Sequence, residues 1–246
     1  MKDNLFNLNV LRDAIIYKYK LMGLGVKDLR ELPFDFTTDW NHNFCNEFSK
    51  LKKGINDFNN AYAADKTKIK SSNFTMIQVW LGQLQHALAC IVESMRNLAL
   101  HDRNFHTVKP IEYGLVEFDQ TPMTYKVFGF EYFDFLMDFQ RNLIQIMASN
   151  MQNSDTKVSE VTHDYTWYFM DLGYGLEILI DECRLLNDFM LLDDDYKMSY
   201  MLFRIRNRCF YLARTMAYIL EDVDECFFIV AKREDEEVGV ESNNDN

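Results

Sequence analysis

The sequence predicts an all-α fold, a bundle of about six main helices, because apolar residues recur at alternating spacings of three and four over most of the chain. Two further observations agree. Nine glycines and three prolines in 246 residues leave little material for the turns of an all-β protein. Only one stretch, between Asp102 and Phe130, carries strand-like runs. With 48% apolar and 15% aromatic residues the chain can bury a sizeable core, which excludes wholesale disorder, a collagen-like fibre and a disulfide-stapled miniprotein.

Along the chain, helices are predicted at residues 4–22 and 39–63, with a short helical turn at 26–32 closed by Pro33 between them. The clearest pattern begins after Ser71-Ser72-Asn73, which can cap a helix, and places Phe74, Ile77, Leu81, Leu84, Leu88, Ile91, Met95 and Leu98 on one stripe. Pro110, Gly114, Pro122 and Gly129 then punctuate two strand-like runs, so a short β-hairpin is expected near residues 113–129. Helices follow at 130–151, 159–192 and 196–231. Val161, Tyr165, Phe169, Leu172, Leu176, Leu179, Cys183 and Leu186 line the second of these, and Gly173 and Gly175 are candidates to kink it. The expected organisation is one all-α domain over 1–231, divisible into helical subdomains 1–110 and 130–231, followed by a disordered acidic tail, 232–246.

Five cysteines, scattered and without any C-x-x-C pair, read as reduced thiols of a cytoplasmic protein. No apolar run approaches the roughly 20 residues of a membrane-spanning helix, and the N-terminus does not resemble a signal peptide. The net charge of −12 is unevenly distributed. Residues 1–110 carry 15 Lys and Arg against 11 Asp and Glu, a net of +4, whereas residues 111–246 carry 11 against 27, a net of −16. A polyanion such as RNA would therefore meet the first half.

That half contains Arg96-Asn97-Leu98-Ala99-Leu100-His101, an R-N-x-x-x-H pattern at the end of a predicted helix. It resembles the signature of the HEPN family, small all-α domains many of which are metal-independent endoribonucleases in toxin, phage-defence and CRISPR systems. The resemblance covers these six residues and the helix that carries them. It implies His101 as the acid/base or nucleophile-orienting residue and Arg96 as the phosphate clamp, both catalytic. Asn97, Arg103 and His106 are the candidate substrate-binding residues. No cofactor or metal is required, because RNA supplies its own 2′-hydroxyl nucleophile, and a cyclic 2′,3′-phosphate is the expected product. Five residues turn an ideal helix through about 500°, leaving Arg96 and His101 about 140° apart, so catalysis implies a homodimer or a second motif. Arg206-Asn207-Arg208-Cys209-Phe210-Tyr211 repeats the Arg-Asn start, with Tyr211 in place of the histidine. Two positions depart from the family: Asp102 stands where a small residue is common, and Arg103 where some members carry Tyr.

The same residues also have a purely structural account, in which Arg96 pairs with Glu93 and His101 caps the helix end. The corresponding functional alternative is a non-catalytic all-α interaction or scaffold protein, of viral type, with a protein partner. Other constellations are less complete. His101-Asp102 lacks the upstream histidine of HD-type phosphohydrolases, and Glu160-x-x-His163 lacks the second copy of a di-iron bundle. Asp193-Asp194-Asp195 lacks the spacing and glycine of an EF-hand and reads as a turn capping the next helix. Arg204 and Arg208 share a helix face as an anion clamp or as internal ion-pair partners. Basic segments at Lys50–Lys53 and Lys66–Lys70 could steer a polyanion. No P-loop, Rossmann glycine pattern, zinc spacing or nucleophile elbow is present.

Overall fold

The computed structural model describes residues 8–24, 38–105, 130–151 and 158–244. The described residues form seven α-helices and no strand: α1 (Leu8–Leu21), α2 (Trp40–Ala64), α3 (Ser72–Ser94), α4 (Arg96–His101), α5 (Phe130–Met151), α6 (Val158–Leu191) and α7 (Asp195–Asn244). Short 3-10 turns lie at Lys66–Lys68 and Arg103–Phe105. The hairpin expected at 113–129 and the helical turn expected at 26–32 fall outside the described residues. No helix among the described residues is long and apolar enough to cross a membrane.

Local chemistry explains where the helices start and stop. Asp39 precedes α2 and its side chain accepts the His42 backbone N–H at 2.9 Å, while Asn9 accepts the Trp40 N–H at 3.0 Å. Between α6 and α7, Asp193 adopts the left-handed backbone conformation (φ 53°) that ends a helix, and Asp194 caps the next one through the Lys197 N–H at 3.1 Å. The three aspartates thus form the capping turn expected from sequence. Every residue of the stripe from Phe74 to Leu98 is buried, as its spacing predicts. Yet the helix breaks at Met95 (φ −94°, ψ 5°). The Ser94 carbonyl, which would continue the helical ladder, instead accepts the Tyr19 hydroxyl at 3.0 Å.

The described chain forms two compact units. They are not the sequential halves 1–110 and 130–231. The first unit combines Met1–Asn46, Gln85–Phe130 and Gly173–Ala213, and the second combines Glu47–Leu84, Glu131–Leu172 and Arg214–Asn246. The reason is that α2, α3, α6 and α7 are each long enough to contribute residues to both units. In the first unit Leu11, Ile15, Tyr19, Leu88, Ile91, Leu98, Leu179 and Leu202 are buried. In the second, Phe58 packs against Phe74 and Phe139 with centroids 5.0 and 5.2 Å apart, and Phe139 meets Phe169 at 6.0 Å. Edge-on and tilted pairs of this kind add to simple area burial.

Two further features come from tertiary packing rather than from the sequence pattern. Helix α7 continues to Asn244, through the tail that its composition predicts to be disordered. Tertiary partners lie at the start of that stretch: Arg233 donates to the Ile69 carbonyl at 2.7 Å, and Glu234 accepts the Ser71 N–H at 3.1 Å. In α6, which runs without a break from Val158 to Leu191, Gly175 is a close-packing position. A Cβ there would lie 2.5 Å from Leu212 Cδ2 and 3.2 Å from its Cγ, and Leu212 is fully buried.

Gly175→Val should therefore lower stability by about 1–3 kcal/mol through overpacking. Gly82, also inside a helix, has nothing within 4 Å of where its Cβ would be. Gly82→Ala should raise stability by about 0.5–1 kcal/mol. Urea unfolding of the two variants checks both signs.

Candidate functional site

The R-N-x-x-x-H residues occupy α4, six residues long, in the first unit. Arg96 is its first residue and His101 its last; both are exposed, whereas Leu98 between them is fully buried. Arg96 Nη1 donates to Glu93 Oε1 at 3.0 Å, with side-chain exposures of 68% and 50%. That is the one-turn pair expected from sequence. The end of α4 is closed by the Asp102 backbone N–H, which donates to the Leu98 carbonyl at 2.9 Å. Asn97 is half-buried and Arg103 is exposed on the following 3-10 turn. His106 lies outside the described residues. Arg96 and His101 sit at opposite ends of this one short helix, five residues apart, which in an ideal helix corresponds to about 140°.

What positions this helix is a buried charge cluster. Lys18 of α1 and Asp102 meet at 2.9 Å with side chains only 3% and 7% exposed. Asp102 also accepts the Ser199 hydroxyl at 2.7 Å and the Asn104 N–H at 2.9 Å. Lys18 reaches on to Asp195, the first residue of α7, at 2.6 Å, and Asn104 donates its side-chain amide to the same carboxylate at 3.3 Å. Burial pushes the Asp102 carboxyl up, but the hydrogen bonds from Lys18, Ser199 and Asn104, together with the Lys18 charge, outweigh it and hold the pKa below the ordinary value. Sequence reading singled out Asp102 only as a departure from the family and as half of an incomplete His-Asp pair. Lys18, Ser199 and Asp195's role were not legible, since they meet Asp102 only through the fold.

The other candidates resolve differently. Arg204 donates to Glu182 at 3.0 Å and Arg208 lies 3.8 Å from the same carboxylate, whose side chain is 4% exposed. The arginine pair is therefore occupied by an internal acid. Arg206 is half-buried and Tyr211 exposed in the degenerate repeat of the motif. In the second unit, Lys50 pairs with Glu47 at 3.1 Å and sits 4.4 Å from the Trp80 ring centroid, while Lys53 pairs with Asp57. The side chains of Glu160 and His163 lie outside the described residues. Among the described residues no cluster of three or more His, Cys, Asp or Glu is arranged to hold a metal.

A lowered Asp102 pKa has a definite pH signature. Its contribution is fully present above the unfolded carboxylate value near pH 4 and is lost as pH falls through the lower folded value. Asp102→Asn, which mimics the protonated acid, should cost about 1.5–3 kcal/mol at pH 7. The difference from wild type should shrink progressively below about pH 4 in urea titrations. A difference that stays constant down to acid pH would show that the charge is not what matters.

In comparisons with known proteins, the chain matches no family model, no curated protein and no solved structure.

Proposed function

We propose that this chain is a HEPN-like, metal-independent endoribonuclease that acts as a dimer. The observation that carries the reading is the division of labour along α4 and its cap: Leu98 and the capping residue Asp102 are buried, while Arg96 and His101 are exposed. Arg96's pairing with Glu93 does not oppose it, because exposed ion pairs contribute about 0–1 kcal/mol and yield readily to a phosphate. In the proposed reaction His101 accepts the proton of the ribose 2′-hydroxyl, the 2′-oxygen attacks phosphorus, and the bond from phosphorus to the 5′-oxygen breaks. The departing 5′-oxygen takes a proton from water, His101 later returns its own to solvent, and Arg96's planar fork offsets the charge that builds on the phosphate. A second copy of α4 supplies the group that a single copy leaves about 140° away.

A second reading, a non-catalytic interaction protein, is favoured by a different observation. Leu191, Leu192, Phe210 and Tyr211 of the first unit are 78%, 71%, 62% and 46% exposed. Two pairs of large apolar and aromatic side chains, each pair adjacent in sequence, are thus available at the surface to a protein partner.

Cleavage of single-stranded RNA in EDTA separates the two. The nuclease reading expects products ending in a cyclic 2′,3′-phosphate, a dimer by sedimentation, and a loss of about 100-fold or more in His101→Ala and Arg96→Ala. Both exposed substitutions should leave the melting temperature unchanged. No cleavage of any RNA by folded wild-type protein would leave the interaction reading standing.

A further inference from the structure

We propose that a strip along α6 and α7 of the first unit docks an acidic segment of a partner protein, with one carboxylate of that segment held between Arg204 and Arg208. The observation behind it is an incomplete ion-pair cluster. Among the described residues, the two arginines share a single acid, Glu182. It accepts a hydrogen bond from Arg204 Nε at 3.0 Å, but Arg208 Nε stays 3.8 Å away, beyond hydrogen-bond reach. Arg208 Nε and Glu182 Oε2 are both buried and neither has a hydrogen-bond partner. Arg204 also donates through Nη1 to the Tyr200 hydroxyl, at 3.2 Å. Glu182 is 4% exposed, whereas Arg204 and Arg208 are 22% and 26% exposed, so the cations reach solvent and the acid does not. Two guanidiniums set against one carboxylate leave the cluster short of one anionic group.

The surroundings match a peptide rather than a free anion. Tyr174, Glu182 and Leu185 lie on one face of α6, and Tyr200, Arg204, Arg208 and Tyr211 on one face of α7. Each set falls within about 80° of its helix and extends about 16 Å along it. The two faces lie side by side. Arg204 and Arg208 meet Glu182 in the middle, and toward one end a Cβ on Gly175 would lie 2.5 Å from Leu212 Cδ2, which places the neighbouring Tyr174 and Tyr211 at one level. Tyr174, Leu185 and Tyr211 are exposed. The strip thus carries a cationic centre between apolar and aromatic ends, long enough for about five residues of extended chain or three turns of a helix.

Polyanionic RNA fits this strip poorly. The cluster lacks a single negative charge, Asp181 beside it is a further acid, paired with Arg184 at 3.2 Å, and residues 111–246 carry a net of −16. One carboxylate between apolar side chains uses both the open guanidinium positions and the flanking rings.

Fluorescence anisotropy of the full chain with a labelled, end-blocked Leu-Ala-Glu-Ala-Leu peptide tests this. The same peptide with glutamine or phosphoserine at its centre, and a single-stranded RNA, serve as further arms. The glutamate peptide should bind saturably and at least about tenfold more tightly than the glutamine peptide. Arg208→Gln should abolish that preference, and Arg208→Lys, which keeps the charge but not the planar fork, should retain part of it. A purely structural role for Arg208 would leave the preference intact in any variant that folds. Tyr211→Ser, at an exposed position, should weaken both peptides and leave the preference between them. No saturable binding of the glutamate peptide, equal affinity for the glutamate and glutamine peptides, a preference that survives Arg208→Gln, or tighter binding of the RNA or the phosphoserine peptide would each overturn the proposal. None of these substitutions touches Arg96 or His101, so peptide docking and RNA cleavage succeed or fail separately.

Discussion

A buried ammonium shared by two carboxylates is the interaction on which the first unit depends. Taking Lys18 and Asp102 out of water costs several kcal/mol per ion unless partners replace the lost hydration. Here they do. Asp102 receives bonds from Lys18, Ser199 and the Asn104 backbone, and the net effect is a carboxyl held below its ordinary pKa despite burial. The second carboxylate is treated differently: Asp195 is 45% exposed and opens α7, where the helix dipole favours a negative charge. One dry and one wet carboxylate can therefore share a single cation.

The cluster also explains why α4 exists as a separate helix. Tyr19, next to Lys18 on α1, takes the Ser94 carbonyl and interrupts the helix before Arg96. Lys18 takes Asp102 immediately after His101. Two consecutive residues of α1 thus set both ends of the segment that displays Arg96 and His101. The exposed side chains need contribute nothing to this support, which leaves them available for chemistry. Burial of Asp102, a departure from the family resemblance, is consistent with such a role, because the residue anchors the helix from behind.

Much of the helical framework was legible in the sequence. The stripe from Phe74 to Leu98, the pair Arg96 with Glu93, and the capping turn at Asp193 to Asp195 follow from local spacing and local chemistry. The break at Met95 was not, because both the buried stripe and the three-and-four spacing run through it unchanged while the cause, Tyr19, comes from another helix. The same holds for Arg233 and Glu234, whose partners Ile69 and Ser71 tie α7 down where the apparently structureless composition begins. Gly175 reads as a weakness in one dimension and becomes a packing position only when Leu212 is placed against it. The alternation of the two units along the chain likewise comes from helix length, which periodicity reports, and from tertiary packing, which it does not.

The central claim, that Lys18 and Asp102 act as one unit in fixing the segment after α4, is tested most directly by a double-mutant cycle in urea at pH 7. Lys18→Met alone should cost about 3–5 kcal/mol, because it strands a buried carboxylate. Adding Asp102→Leu should recover a large part of that loss, with a coupling of at least about 2 kcal/mol, since the stranded charge is gone. Losses that simply add, within about 0.5 kcal/mol, would mean that the two residues act independently and that the cluster does not hold α4 in place.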